Sequence, residues 1–269
     1  MTEKWPHKKY LWLCLLVLGA ILYSATYEVA FTYDDVLQIV QNKNIHQGPS
    51  LERLLHDPER PTRVLQNFTF GFNWLWSGAE TWSYHLVNIA LHFVASVLWA
   101  LLLWKIGGVD PIVWFTTLLF FIHPLETEAV TYIMGRNELL RLISALTLLH
   151  LNHSEKRRPI LIWLILTGSL LIKETCGLIL IVFVAQDHLL RHRHWKAWRW
   201  KEHLFYLSHA LWLLPMSRLL SFDKTHGDYV GFHLFPFWDY VVSNFYNLWF
   251  TVELFFNPGR QSIYHDWVA

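Results

Sequence analysis

The chain has 269 residues, 54% of them hydrophobic and 16% charged, with a formal net charge of +1. A soluble domain usually carries about 25% charged residues, and the near-neutral balance argues against nucleic acid as a partner. The 16 Trp and 17% aromatic content fit a protein with two wet interfaces, where amphipathic rings settle at headgroup depth. Cys14 and Cys176 both sit in apolar runs and read as small buried residues rather than a disulfide or a metal pair.

Charges come in short clusters between apolar stretches of about the length that crosses ~30 Å of hydrocarbon. The pattern predicts an all-α polytopic membrane protein with spans near residues 10–27, 83–104, 109–123, 137–151, 159–172, 175–190 and 203–220. Residues 237–256 are either an eighth span or an interfacial helix. The first apolar run follows Lys4, Lys8 and Lys9 and has no small-residue cleavage site after it, so it reads as a retained helix. Residues 28–82 form a large loop, the most polar part of the chain, in which 51–55 has the pattern of a short amphipathic helix lying on the membrane. Gly107 and Gly108 mark a turn, and His123-Pro124 closes the third run. No internal repeat or low-complexity tract stands out.

If the spans alternate, the N-terminus, the Lys156-Arg157-Arg158 loop and residues 191–203 fall on one side, with eleven Lys/Arg among them. The positive-inside bias makes that side cytoplasmic. The first loop, residues 123–138 and the Lys173-Glu174 turn then face the periplasm or lumen, in a bacterial inner membrane or the endoplasmic reticulum.

The unusual polar residues gather on that outer face. Asp34 and Asp35 follow the first run; adjacent carboxylates near a low-dielectric boundary suit a general base or a cation ligand, and equally a helix cap. His123, Glu126 and Glu128 lie within six residues. They leave room for a divalent cation, but one His and two Glu match no familiar zinc spacing. Glu126 and Glu128, two apart, are not expected to share a helix face. Arg136 has the planar fork of a phosphate clamp and could equally pair with Glu138 or Asp34. Arg141 stands three residues after Glu138, the spacing of an intrahelical ion pair. Lys173-Glu174 suits an anionic headgroup. His85 and His92, seven apart, share one helix face and read first as interhelical hydrogen-bond partners.

Taken in order, several motifs resemble one family. They are Phe31-Thr32-Tyr33-Asp34-Asp35, Arg60-Pro61 with Phe68, Phe70 and Asn73, and Tyr84-His85-Leu86-Val87-Asn88 with Leu91-His92. They continue with Leu119-Phe120-Phe121-Ile122-His123-Pro124, Thr127-Glu128-Ala129-Val130, Gly135-Arg136 and Lys173-Glu174. Together they resemble the transmembrane and tetratricopeptide-repeat-containing O-mannosyltransferases and their bacterial relatives, from about residue 31 to 190. The resemblance implies a GT-C-like bundle of seven or eight transmembrane helices, its first outer loop carrying short interfacial helices. It implies transfer of a sugar from a polyprenyl-phosphate donor to a protein or lipid acceptor outside the cytoplasm. An acidic residue of the first outer loop, here Asp34 or Asp35, would act as base. His85, His123, Glu126, Glu128, Arg136, Glu138, Lys173 and Glu174 would line the donor or acceptor pocket, and no metal ligand is assigned. Where relatives often have Gly-Arg-Ala-Asp, this chain has Gly-Arg-Asn-Glu at 135–138, and it ends at Ala269 without repeats. The alternative is a non-catalytic or split subunit that binds a lipid-linked sugar or scaffolds a partner supplying the missing spans or repeats. A transporter would need broken helices in two matching halves, which the sequence lacks.

Overall fold

The computed structural model describes residues 8–50, 52, 63–154, 158–190, 200–208, 211 and 237–258. Among them the chain is all-α, with no strand. The principal helices are α1 (Lys8–Leu22), α2 (Lys43–His46), α3 (Val64–Ser77), α4 (Trp82–Lys105), α5 (Asp110–Ile122), α6 (Glu126–Thr131), α7 (Arg136–Asn152), α8 (Pro159–Leu170), α9 (Ile179–Leu190), α10 (Trp200–Leu207) and α11 (Phe237–Phe256). The expected helix at 51–55, the basic loops at 156 and 191–199, and most of the expected 203–220 span lie outside the described residues.

The expected punctuation does its work. Helix α4 ends because Gly107 adopts φ +98° and the Gly108 N–H returns to the Leu103 carbonyl at 2.8 Å, a left-handed termination that suits glycine. Asp110 and Pro111 then open α5, where a proline costs no intrahelical hydrogen bond. The Asp110 carboxylate also accepts from the Trp104 indole at 2.7 Å, closing the corner. Pro124 forces His123 into extended backbone and ends α5.

Helix α3 departs from the sequence expectation of short helices in a polar loop. It runs 14 residues with inverted amphipathy: Gln66, Asn67, Phe70 and Asn73 are buried, while Phe72, Leu75 and Trp76 face outward. Asn42 caps α2 by accepting from the Asn44 N–H at 2.9 Å, and His46 stacks on Trp74 at 3.5 Å, laying the loop along α3.

Helix α4 is central, packed against α7, α5, α6, α3 and α1. Its inward face carries Ser83, His85, Asn88, His92 and Ser96, all fully buried. His85 Nε2 meets the Val29 carbonyl at 3.0 Å and His92 Nε2 the Phe121 carbonyl at 3.1 Å. Both histidines therefore tie α4 to neighbouring segments, as their shared face predicts. Apolar side chains cover much of the outside instead: Leu13 and Ile21 on α1, Ile112 and Phe115 on α5, Ile160 and Leu164 on α8, Ile181 on α9, and Trp238, Phe245 and Trp249 on α11 are all at least half exposed.

Among the described helices, α4 is the one both long and apolar enough to cross a membrane; the other apolar helices found run 10–17 residues. At 1.5 Å per residue, a 13-residue helix spans only about 20 Å. Of the expected spans, 83–104 is thus met by a helix of crossing length, and helices stand along the described parts of the others.

Candidate functional site

A cleft of about 600 Å³ opens where the first loop, α6, the head of α7 and the Lys173 turn meet. Five of the expected site residues line it: Asp34, Glu126, Glu128, Glu138 and Lys173. Arg63, Asn137 and Arg141 line it as well. Glu126 and Glu128 reach the same cleft because α6 is only six residues long and sits at its rim, so the two-apart spacing does not separate them.

The segment beneath the cleft is held very closely. A Cβ on Gly135 would stand 2.7 Å from both the Glu128 and Ala129 carbonyl oxygens, so only glycine lets α7 start here. Asn88 Nδ2 lies 3.2–3.3 Å from the carbonyls of Val130, Tyr132 and Ile133. Gln66 Nε2 donates to the Met134 carbonyl at 3.3 Å. Polar side chains of α3 and α4 thereby shape the floor of the cleft from behind.

The two aspartates occupy different environments. Asp34 is exposed and borders the cleft. Asp35 is 1% exposed. Its carboxylate accepts from the Thr32 N–H and the Met134 N–H, each at 3.0 Å. Burial pushes the Asp35 carboxyl up to about 6, against the opposing pull of those N–H donors. A carboxyl whose folded pKa lies above its unfolded value of 3.8 binds its proton more tightly in the folded state. Stability must therefore fall as pH rises from about 4 to about 6. Wild-type chain in detergent is expected to lose about 2–3 kcal/mol relative to Asp35→Asn across that window, at 1.36 kcal/mol per unit. Parallel unfolding curves of the two proteins between pH 4 and 7 would contradict this.

Glu126 is half-buried at the junction of the cleft with two further cavities. Desolvation raises its carboxyl to about 7. Glu138 receives Lys173 Nζ at 2.7 Å and pairs with Arg141 on its other oxygen, so the expected intrahelical pair forms and gains a second cation. Arg141 also donates to the Thr175 hydroxyl at 3.3 Å, joining α7 to the turn before α9.

Three expected pocket residues lie elsewhere. His85 is buried on the inward face of α4, as described. His123 stacks on Phe255 at 4.6 Å, accepts from the Leu125 N–H through Nδ1 at 3.2 Å, and borders a separate cavity of about 200 Å³ with Trp99 and Phe255. Arg136 is fully buried and absent from the cleft lining. Its Nε donates to Asn88 at 2.8 Å, Nη1 to Asn73 at 2.7 Å and Thr69 at 3.1 Å, and Nη2 to the Tyr84 carbonyl at 3.1 Å. The guanidinium also lies 4.4 Å from the Phe70 ring centroid. The clamp reading of Arg136 gives way to an internal tie among α3, α4 and α7, and its hydrogen bonds run to these neutral oxygens rather than to Glu138 or Asp34. Glu174 opens the 3-10 turn Glu174–Leu178, and its side chain is outside the described residues.

Sequence reasoning missed Arg63 and the role of Asn73 and Asn88. The signal for Asn88 was present, since His85, Asn88, His92 and Ser96 recur at helical spacing in an apolar run. Among the described residues, no three His, Cys, Asp or Glu side chains form a metal-holding cluster.

An all-α module with a polar interior and an acid-and-cation cleft at the junction of its loops is the class defined so far. Its relatives are named consistently. Protein O-mannosyl-transferase TMTC3 of Homo sapiens is 35% identical over 141 residues, 46% of this chain and 15% of that protein. A protein O-mannosyl-transferase of Caenorhabditis elegans is 32% identical over 197 residues, 67% of this chain and 28% of that protein. Protein O-mannosyl-transferase Tmtc1 of Drosophila melanogaster is 31% identical over 187 residues, 60% and 21% respectively. The expected resemblance to the transmembrane and tetratricopeptide-repeat-containing O-mannosyltransferases is therefore borne out. The chain spans less than a third of the length of these relatives. No family profile matches the chain, and no solved structure matches it.

Proposed function

We propose that this chain is a membrane glycosyltransferase module. It transfers a sugar, mannose by the names of its relatives, from a polyprenyl-phosphate-linked donor to a protein or lipid hydroxyl on the non-cytoplasmic face. The observation that carries this reading is the cleft, which brings Asp34 to the same space as Lys173, Arg63 and Arg141. In this mechanism Asp34 takes the proton of the acceptor hydroxyl as its oxygen attacks the anomeric carbon. The bond from that carbon to the phosphate oxygen breaks with inversion, and its electron pair leaves with the phosphate. Cations beside the cleft stabilise the charge that the phosphate gains.

The inverted surface supports a membrane setting: exposed apolar patches of this kind are a liability in water, and hydrocarbon solvates them at no cost. A second groove of about 370 Å³ runs from the cleft between α7 and α9. It shares Glu126, Glu138 and Arg141 with the cleft and continues along Leu139, Leu142, Ile179 and Val182. This geometry suits a donor whose phosphate stays at the interface while its isoprenoid tail lies among the helices. The endoplasmic reticulum or a bacterial inner membrane is the setting we infer, with the N-terminus cytoplasmic.

The competing reading, a subunit that binds a lipid-linked sugar without catalysis, is favoured by one feature. Glu138 already engages both Lys173 and Arg141, so a donor phosphate must compete for them. That competition is testable by itself. Both pairs are partly exposed, so each is worth about 0.2–1 kcal/mol. Glu138→Gln is therefore expected to tighten binding of a polyprenyl phosphate by up to about fivefold, and Lys173→Ala to weaken it. Unchanged retention of the lipid in both variants, measured by native mass spectrometry, would remove the phosphate from this end of the cleft.

A further inference from the structure

We propose that Asp35 is a positioning residue for Asp34, clamping the 32–35 turn onto the amide of Met134 without touching substrate itself. The inference rests on the reading of Asp34 as the base.

A single buried carboxylate joins two segments 99 residues apart. Its Oδ2 accepts the Thr32 N–H at 3.0 Å and lies 3.5 Å from the Thr32 hydroxyl. Its Oδ1 accepts the Met134 N–H at 3.0 Å. Both oxygens are thus engaged, and the residue is 1% exposed, which leaves no route to an acceptor hydroxyl.

Tyr33 and Asp34 lie between Thr32 and Asp35, the two ends of the turn that this carboxylate closes. Tyr33 has φ +46°, the only positive φ outside glycine among the described residues. An aromatic residue holds that conformation only where its neighbours impose it. The Asp35 N–H returns to the Thr32 carbonyl at 2.9 Å and the Val36 N–H to the Tyr33 carbonyl at 3.2 Å, completing the turn. Such strain beside a cleft residue is the usual mark of a side chain being aimed.

The other anchor is equally fixed. Met134 lines the cleft together with Asp34. Gln66 of α3 holds the Met134 carbonyl, and Asn88 of α4 holds Ile133, Tyr132 and Val130. The bond from Asp35 to Met134 therefore registers the Asp34 carboxylate against a wall fixed by two helices. Asp35→Asn keeps one acceptor oxygen but turns an NH2 toward one of the two N–H donors, so one side of the clamp opens.

The test is hydrogen–deuterium exchange of wild type, Asp34→Asn and Asp35→Asn in lipid nanodiscs, with transfer kinetics on the same preparations. The Thr32 and Met134 amides are expected to be protected in wild type, to exchange faster in Asp35→Asn, and to be unchanged in Asp34→Asn. Transfer is expected to be lost in Asp34→Asn. In Asp35→Asn kcat is expected to fall by roughly 10²-fold, as for a misplacement of about 1 Å, with donor affinity unchanged. Unprotected wild-type amides, or Asp35→Asn with unaltered exchange, overturn the clamp. Complete loss of transfer in Asp35→Asn with exchange unaltered would make Asp35 the base. Should the wild-type chain show no transfer, the exchange result alone decides the clamp, and the failure belongs to the reading of Asp34.

Discussion

Arg136→Lys is expected to destabilise the protein by about 2–4 kcal/mol, since each buried acceptor left without a donor costs about 1–3 kcal/mol. The guanidinium is fully buried and meets four neutral oxygens, of Asn88, Asn73, Thr69 and Tyr84. These oxygens diverge, and only a planar fork with five N–H donors reaches them together. A lysine ammonium brings three donors from one point and loses the flat contact over Phe70. Acceptors left unpaired in the interior each keep their desolvation cost. The effect should be global, since the tie joins α3, α4 and α7. Thermal unfolding in detergent is the measurement. An Arg136→Lys protein that melts within a degree or two of wild type would show that the network contributes little.

Arg136 also shows what the sequence could and could not convey. A single arginine beside Gly135 at the start of an apolar helix has the same signature whether it grips a phosphate or its own scaffold. The deciding information is three-dimensional: the acceptors come from Thr69, Asn73, Tyr84 and Asn88, dozens of positions away in the chain. Asp34 and Asp35 pose the same difficulty. Adjacent residues cannot be ranked by composition, and the turn that exposes one and buries the other depends on Met134. Local chemistry, by contrast, was readable. Gly107, the His123-Pro124 stop and the Glu138–Arg141 pair all follow from short-range rules of backbone and helix geometry. Helix α3 was masked by its inverted pattern, because polar residues usually advertise exposure and here Gln66, Asn67 and Asn73 face inward. Arg63 carried no signal of its own, being one basic residue of a polar loop. Asp34, Glu126, Glu128, Glu138 and Lys173 line one cleft; for these residues the sequence offered an expected common face, and none of their contacts.

Asp34→Asn carries the largest expected functional effect. The side chain is exposed, so the substitution is expected to change stability by no more than about 1 kcal/mol. It removes the group proposed to accept the acceptor proton, and loss of general-base catalysis costs about 10²–10⁴-fold in rate. Donor binding should persist, because the proposed phosphate contacts lie at Lys173 and its neighbours. Glu126 and Glu128 border the same cleft and set the control: Glu128→Gln, at an exposed rim position, is expected to retain transfer within a few-fold. The most direct measurement is transfer from a polyprenyl-phosphate mannose to a hydroxyl-bearing peptide, by the purified chain reconstituted in vesicles, with donor retention followed in parallel. Transfer by wild type, with retained donor but transfer at least ~10²-fold slower in Asp34→Asn, is the predicted result. Equal transfer by wild type and Asp34→Asn, or donor binding without transfer by either, would contradict it.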